Sequence, residues 1–191
     1  SADGLGKPLD ELARLHTLWI GSGGAQGAKV DLSGYDLRGC PSLARMCLTM
    51  VAASGTTFYG MNLEAVQLQA ANLEGSDFRT CKLAGADLRG ANLKRAKLNN
   101  ADLGGANLRP LMLDEKRAMR SDLEGAKLRY VNLSGACLRG VNFAGADLSF
   151  ANLLGADMTK TDFRNAKLFG ARVERSAIQT ANLEGVAGLK L

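Results

Sequence analysis

Large apolar side chains recur at every fifth position of this chain from Phe58 to Leu183. Between Thr56 and Gly185 the in-phase positions number 26, and 25 of them are Leu, Phe, Met, Val or Ile, with Ala118 the exception. Only 10 of the other 104 residues in that stretch belong to the same set, so the pattern has to have a structural cause. A period of five suits neither regular element. On an α-helix every fifth residue is rotated by about 140°, which scatters the apolar positions around the surface. On a flat strand they alternate between faces. One core collects them all only if the backbone turns inward once per repeat. Short straight segments joined by regular corners do this, and they coil the chain around its own apolar axis. Successive coils then stack as parallel ladders about 4.8 Å apart. The sequence thus predicts an all-β solenoid.

The flanking positions agree. Two residues before the apolar centre the side chain is usually small, as at Ala71, Ala86, Ala91 and Ala101, which leaves room for the Leu beside it. One residue before the centre, Asn or Asp dominates, as at Asn62, Asp77, Asp87, Asn92 and Asp102. These residues are expected at corners, where a short polar side chain can hydrogen-bond nearby backbone. Two residues after the centre Gly is commonest, as at Gly75, Gly90 and Gly105, where the chain has to bend.

Written out, the repeat is Ala-Asp-Leu-Arg-Gly at 86–90, Ala-Asn-Leu-Lys-Arg at 91–95 and Ala-Asp-Leu-Gly-Gly at 101–105. This resembles the pentapeptide-repeat family, whose motif is A(D/N)LXX. The resemblance is strong over about two thirds of the chain. It implies a right-handed quadrilateral parallel β-helix with four pentapeptides per coil, so that the 130 residues of the strict stretch make 6.5 coils.

The ends depart from the repeat. Residues Pro8 to Ile20 are predicted to form a helix. Pro8 suits its first turn, Asp10 and Glu11 complement its N-terminus, and Gly21 can end it. Leu12, Leu15, Trp19 and Ile20 are its expected apolar stripe, with Trp19 packing the cap rather than anchoring a ligand. The predicted organisation is an N-terminal capping helix and loop over 1–29, a degenerate first coil over 30–55, the repeat over 56–185, and a tail over 186–191. The phase slips by one residue near Cys40-Pro41, which predicts a bulge. The repeat weakens between Pro110 and Arg120, and a loop over 110–120 is expected, either carrying specificity or merely tolerated. The tail can cap the last coil or join a partner.

Chemistry is sparse. The single His16 lies in the helix, and no Cys-x-x-Cys pair accompanies it among Cys40, Cys47, Cys81 and Cys137. No metal, cofactor or catalytic residue is expected, and the reading is of a protein that is not an enzyme. The chain opens at Ser1 without Met, and it shows neither a secretory signal nor an apolar run of membrane-spanning length. A reducing cytoplasm with unpaired thiols is the expected setting.

Net charge is +5, of which residues 56–185 contribute eighteen basic against fourteen acidic side chains. With twenty residues per coil, Arg89, Arg109 and Arg129 are expected to form one column, with Lys127 beside it. Lys116, Arg117 and Arg120 add positive charge on the loop. Glu64, Asp102, Asp122, Glu124, Asp162 and Glu184 are expected on another face, making a two-sided rod. The column holds only if the 110–120 segment adds a multiple of twenty residues. Otherwise Arg129 leaves it. Such a surface is either solvated or binds an acidic partner. The expected function is a non-catalytic scaffold that binds an unidentified protein partner. The family resemblance also implies a second reading, since some members imitate duplex DNA and modulate DNA gyrase. Those are acidic rods, and the basic charge here argues against it. A third reading is polyanion or nucleic-acid binding through the basic face, with Tyr59, Tyr130, Phe150 and Phe169 as the exposed aromatics.

Overall fold

A computed structural model describes residues 4–190. Residues 1–3 of the expected cap segment and Leu191 of the expected tail lie outside them. From Asp31 onward, parallel bridges join residues one coil apart along four ladders. One ladder runs Gln67, Asp87, Asn107, Cys137 and Asp157. The next runs Asn72, Asn92, Asp122, Asn142, Asp162 and Asn182. The remaining two pass through Asp77, Lys97, Lys127, Asp147 and Lys167, and through Lys82, Asp102, Asn132, Asn152 and Arg172. Four pentapeptides therefore complete one coil.

Within each pentapeptide the apolar centre points inward. Leu63, Leu73, Leu93, Leu103, Leu128 and Leu148 are buried. The small residue two places earlier is buried beside it. Phe58 stacks on Phe78 and Phe143 on Phe163, with ring centroids 4.7 and 5.4 Å apart, each pair on successive coils of its own side. Where the small residue is Ser or Thr, its buried hydroxyl donates to a backbone carbonyl. Thr56 serves Leu32, Ser76 serves Ala53 and Thr161 serves Leu138.

The Asn/Asp residue sits in the bridged segment itself rather than at the corner. Its Oδ1 accepts the amide two residues on, as in Asn62 with Glu64 and Asp102 with Gly104. Its side chain also stacks along the ladder. Asn152 donates to Asn132, which donates in turn to Asp102. The corner is the turn after the centre, closed by an i to i+3 bond such as Ala71 N–H to Leu68 C=O at 3.1 Å. Its third residue has positive φ along the regular coils, though not at Thr180 after the 3-10 turn. Gly fills most of these places, but Thr80, Arg95, Tyr130 and Phe150 hold the same conformation with φ of 58°, 55°, 58° and 62°.

The N-terminal helix α1 spans Leu9–Gly21, one residue later at each end than the sequence suggests, with Pro8 at its N-cap. Its buried residues are Leu9, Ala13 and His16, and the expected stripe of Leu12, Leu15, Trp19 and Ile20 is only half-buried. The buried face is offset because His16 is satisfied there. Its Nδ1 accepts the Val30 amide at 3.0 Å and its Nε2 pairs with the Thr49 carbonyl at 2.8 Å. That arrangement selects the neutral tautomer protonated on Nε2. Gly27 follows the helix with its Cα against the Leu15 carbonyl, at a distance that leaves no room for a Cβ. The first coil is one residue longer than the rest. Asp31 bridges Ala52 and Asp36 bridges Thr57, twenty-one positions away, whereas Cys47 bridges Gln67 at twenty.

One further interruption governs the surface. Asn92 bridges Asp122 and Asn107 bridges Cys137, thirty residues apart. Ten residues leave the coil as an antiparallel hairpin of β1 (Leu111–Met112) and β2 (Ala118–Met119). In-phase Leu113 and Ala118 therefore lie outside the core, and Leu113 is 51% exposed. Near the C-terminal end a 3-10 turn, Arg175–Ile178, replaces the next rung after Asp157.

Candidate functional site: the hairpin corner and its arginine column

The hairpin base is fixed to the coil. Ser121 accepts the Gly90 amide at 3.0 Å and donates to the Leu88 carbonyl at 2.9 Å, bridging the two coils from which the hairpin springs. Gly90 is closely covered, since a Cβ there would lie 3.0 Å from Leu111 Cβ and 3.2 Å from Met119 Sδ. Arg120 donates from Nε to the Gly140 carbonyl at 2.7 Å, and Pro110 packs over the same glycine. At the tip, Asp114 accepts the amides of Lys116 and Arg117 and pairs with the Arg117 guanidinium at 2.5 Å. The Lys116 amide first, then the Arg117 side chain, hold the Asp114 carboxyl below the usual carboxylate range. Met112 is 61% exposed.

Ten residues are half a coil, and that length redistributes the basic surface. Arg109 lies one coil from Arg89 on one side and one coil from Arg139 on the other, as the Gln67 to Asp157 ladder requires. Arg129 instead joins Asn99. Its amide donates to Asn99 Oδ1 at 3.0 Å, and its carbonyl accepts the Asn100 amide. The expected column of Arg89, Arg109 and Arg129 is thus corrected to Arg89, Arg109 and Arg139. Lys127, on the ladder between Lys97 and Asp147, accompanies Arg129 two ladders away. Of the expected surface, Arg89, Arg109, Lys116, Arg117 and Arg120 share the hairpin corner, while Lys127 and Arg129 share the opposite one. Arg139 was legible only by counting the ten inserted residues out of the coil.

At the opposite corner Tyr130 and Phe150 stack with centroids 4.9 Å apart. The Arg129 guanidinium lies 5.8 and 5.6 Å from the two rings and 3.7 Å from Asp147. Burial alone would raise the Asp147 carboxyl, but the Ser149 hydroxyl and amide, with Arg129, hold it low.

The expected acidic face is also divided. Glu64 and Asp102 lie beside one ladder and Asp122, Glu124, Asp162 and Glu184 beside the opposite one. Cations interleave with them. Lys94 pairs with Asp122 at 3.3 Å and Glu124 at 3.1 Å, Arg95 pairs with Glu74, and Arg164 pairs with Asp162 at 2.8 Å. Charge alternates along the rod instead of dividing it into two sides.

Among the described residues no cluster of His, Cys, Asp and Glu is arranged to hold a metal ion, and no disulfide forms. No helix among them is long and apolar enough to cross a membrane.

The pentapeptide repeats family matches residues 71–109, 120–145, 136–175 and 146–185, in eight copies. The gap between the first two matches contains the hairpin. The chain belongs to the pentapeptide-repeat family. Among solved structures it is similar to a trypsin-treated variant of QnrB1, described as a plasmid-mediated fluoroquinolone resistance protein. There the TM-score is 0.66 at 23% identity, over 84% of this chain and 76% of that one. HetL, from the cyanobacterium Nostoc sp. strain PCC 7120 and involved in heterocyst differentiation regulation, matches at 24% identity. It covers 83% of this chain and 85% of its own, with a TM-score of 0.35. Rfr23 from the cyanobacterium Cyanothece 51142 is 31% identical over 52% of this chain and 60% of that one, with a TM-score of 0.28. No curated protein matches the chain.

Proposed function

We propose that this protein is a non-catalytic scaffold that binds a protein partner at the corner where the hairpin leaves the coil. The coil is read as the right-handed quadrilateral β-helix that the family implies, working in a reducing cytoplasm. The observation that carries the proposal is the hairpin itself. Its base is pinned through Ser121 and Gly90, while Met112 and Leu113 stand exposed beside an arginine column. Apolar side chains displayed on a rigid support lose little conformational entropy on docking, which is what a recognition element needs. The only histidine is buried with both ring nitrogens engaged, so it is no proton shuttle.

The test compares the immobilised full chain with a form lacking residues 110–119. A partner retained by the first and released by the second supports the reading. One retained equally by both places recognition elsewhere on the rod, and a purified protein with measurable turnover contradicts the non-catalytic role.

The likeness of fold to a fluoroquinolone resistance protein supports a second reading, modulation of DNA gyrase. Mimicry of duplex DNA calls for a continuous acidic surface, and the carboxylates here alternate with paired cations. A supercoiling assay decides it, with no effect at micromolar protein ending that reading.

A further inference from the structure

Four pentapeptides carry Asp before the apolar centre and Arg after it. In each the guanidinium closes on its own carboxylate: Arg38 on Asp36 at 2.5 Å, Arg79 on Asp77 at 2.6 Å, Arg89 on Asp87 at 2.7 Å and Arg164 on Asp162 at 2.8 Å. Two adjacent rungs at the hairpin corner break this rule. Asn107 precedes Arg109 and Cys137 precedes Arg139, and Asn107 and Cys137 are bridge partners. Arg139 reaches instead to Asp157 of the following coil, at 3.4 Å and with its side chain 59% exposed. Arg109 makes no ion pair among the described residues, although the neighbouring Arg89 and Arg139 both do. Arg89, Arg109 and Arg139 line a cavity of about 470 Å³ whose remaining walls are Pro110, Leu111 and Met112.

Asp87 and Asp157 compensate Arg89 and Arg139, so Arg109 is the cation of this cavity without a carboxylate, and a carboxylate entering beside it supplies one. The apolar walls beside them favour an aliphatic group on the same ligand. We infer that this cavity receives an acidic segment of a partner protein, with a carboxylate on Arg109 and Arg139 and an apolar side chain against Leu111 and Met112. The inference rests on the scaffold reading above and names the chemistry of the partner. The cationic track is short: Gln69 stands one coil before Arg89 and Thr159 one coil after Arg139. No aromatic ring lines the cavity to stack a base. A nucleic acid gains from a long cationic track and from such rings, so the site fits a short acidic peptide better.

The experiment titrates the full chain against a fluorescein-labelled peptide of alternating Glu and Leu, read by fluorescence anisotropy. A Lys/Leu peptide of equal length and a labelled single-stranded oligothymidine are run in parallel. Arg109→Gln is expected to weaken the Glu/Leu peptide about tenfold. Arg109→Lys should retain much of the affinity, and Lys127→Gln at the opposite corner should leave it unchanged. No binding at millimolar peptide, equal binding by the Lys/Leu peptide, or Arg109-dependent binding of oligothymidine in its place overturns the inference. If Met112→Ser weakens the peptide while Arg109→Gln does not, the acidic-segment inference falls and the hairpin scaffold reading stands. If neither matters, both fall.

Discussion

Arg109 and Arg139 occupy successive coils although thirty residues separate them, because Asn107 bridges Cys137 on the ladder beneath. The ten residues between them that leave the coil amount to two pentapeptides. The five-residue phase therefore survives the insertion, while every position after it moves half a coil around the rod.

The hairpin should be removable. Deleting residues 110–119 with Arg120→Gly leaves Arg109 followed by a glycine at the left-handed corner. Pro110 could not occupy that place, since its φ is fixed near −65°. The shortened chain should keep its fold and melt within about 5 °C of the parent, because closing a short loop alters chain entropy only slightly. Circular dichroism on heating tests this.

The left-handed corner makes an opposite demand at Thr80. A β-branched side chain there holds φ of 58° while exposed. Thr80→Gly should stabilise the protein by about 1 kcal/mol, by removing Cβ strain that outweighs the added freedom of the unfolded chain. Gly90→Val should destabilise it, since its Cβ would press on Leu111. Guanidinium denaturation midpoints would show both signs.

His16 pins α1 to the first coil through Val30 and Thr49. His16→Ala leaves the buried Val30 amide without a partner, at a cost of about 1–3 kcal/mol, and frees the half-buried Thr49 carbonyl as well. Trp19 is the only tryptophan and lies in the same helix. Its fluorescence in the variant should therefore change at lower temperature than the far-UV signal of the coils. Coincident transitions would show that the cap and the rod unfold as one.

Acid should act through the ladder carboxylates. The Arg38 side chain and amide lower the Asp36 carboxyl from an ordinary 3.8 to about 2. Arg164 lowers Asp162, and Arg79 lowers Asp77 against the opposing effect of burial. These groups bind protons more weakly folded than unfolded. The Asp36 contribution is present above about pH 4 and is lost as pH falls toward about 2, and Asp162 and Asp77 act in the same direction. Melting temperature should be level between neutral pH and pH 5 and fall steeply below. Cys81 has the reverse sign. Burial raises its thiol from 9.0 to about 11, so its contribution is lost as pH rises through that interval. At neutral pH Cys81 should react with maleimide far more slowly than half-buried Cys137.

The core was legible because burial of one residue in five leaves a direct imprint on the sequence. The placement of the Asn/Asp residues was only partly legible. Their bond to nearby backbone was readable from side-chain chemistry, but Asn62 and Asp102 make it within a bridged segment while the next residues form the corner. The seated face of α1 was obscured because apolar patterning favours Leu12 and Leu15. It cannot register that Val30 and Thr49 satisfy a buried His16. The basic column departs from its expected course past residue 110 for a geometric reason. Leu113 kept the five-residue phase inside the hairpin, so the phase gave no sign that Arg129 had passed to the opposite corner. The alternation of charge was not legible, because spacing in sequence does not show that Lys94 lies between Asp122 and Glu124.

The register across the hairpin carries the whole account of the surface, and a cross-link reads it directly. Bridge partners on adjacent parallel strands lie within disulfide reach. In Asn107→Cys, mild oxidation should join the new thiol to the native Cys137, as peptide mapping would show. An uninterrupted twenty-residue register instead places position 107 against Lys127. Failure of the Cys137 link, with ready cross-linking in an Asn107→Cys, Lys127→Cys double variant, would contradict the half-coil shift and the arginine column built on it.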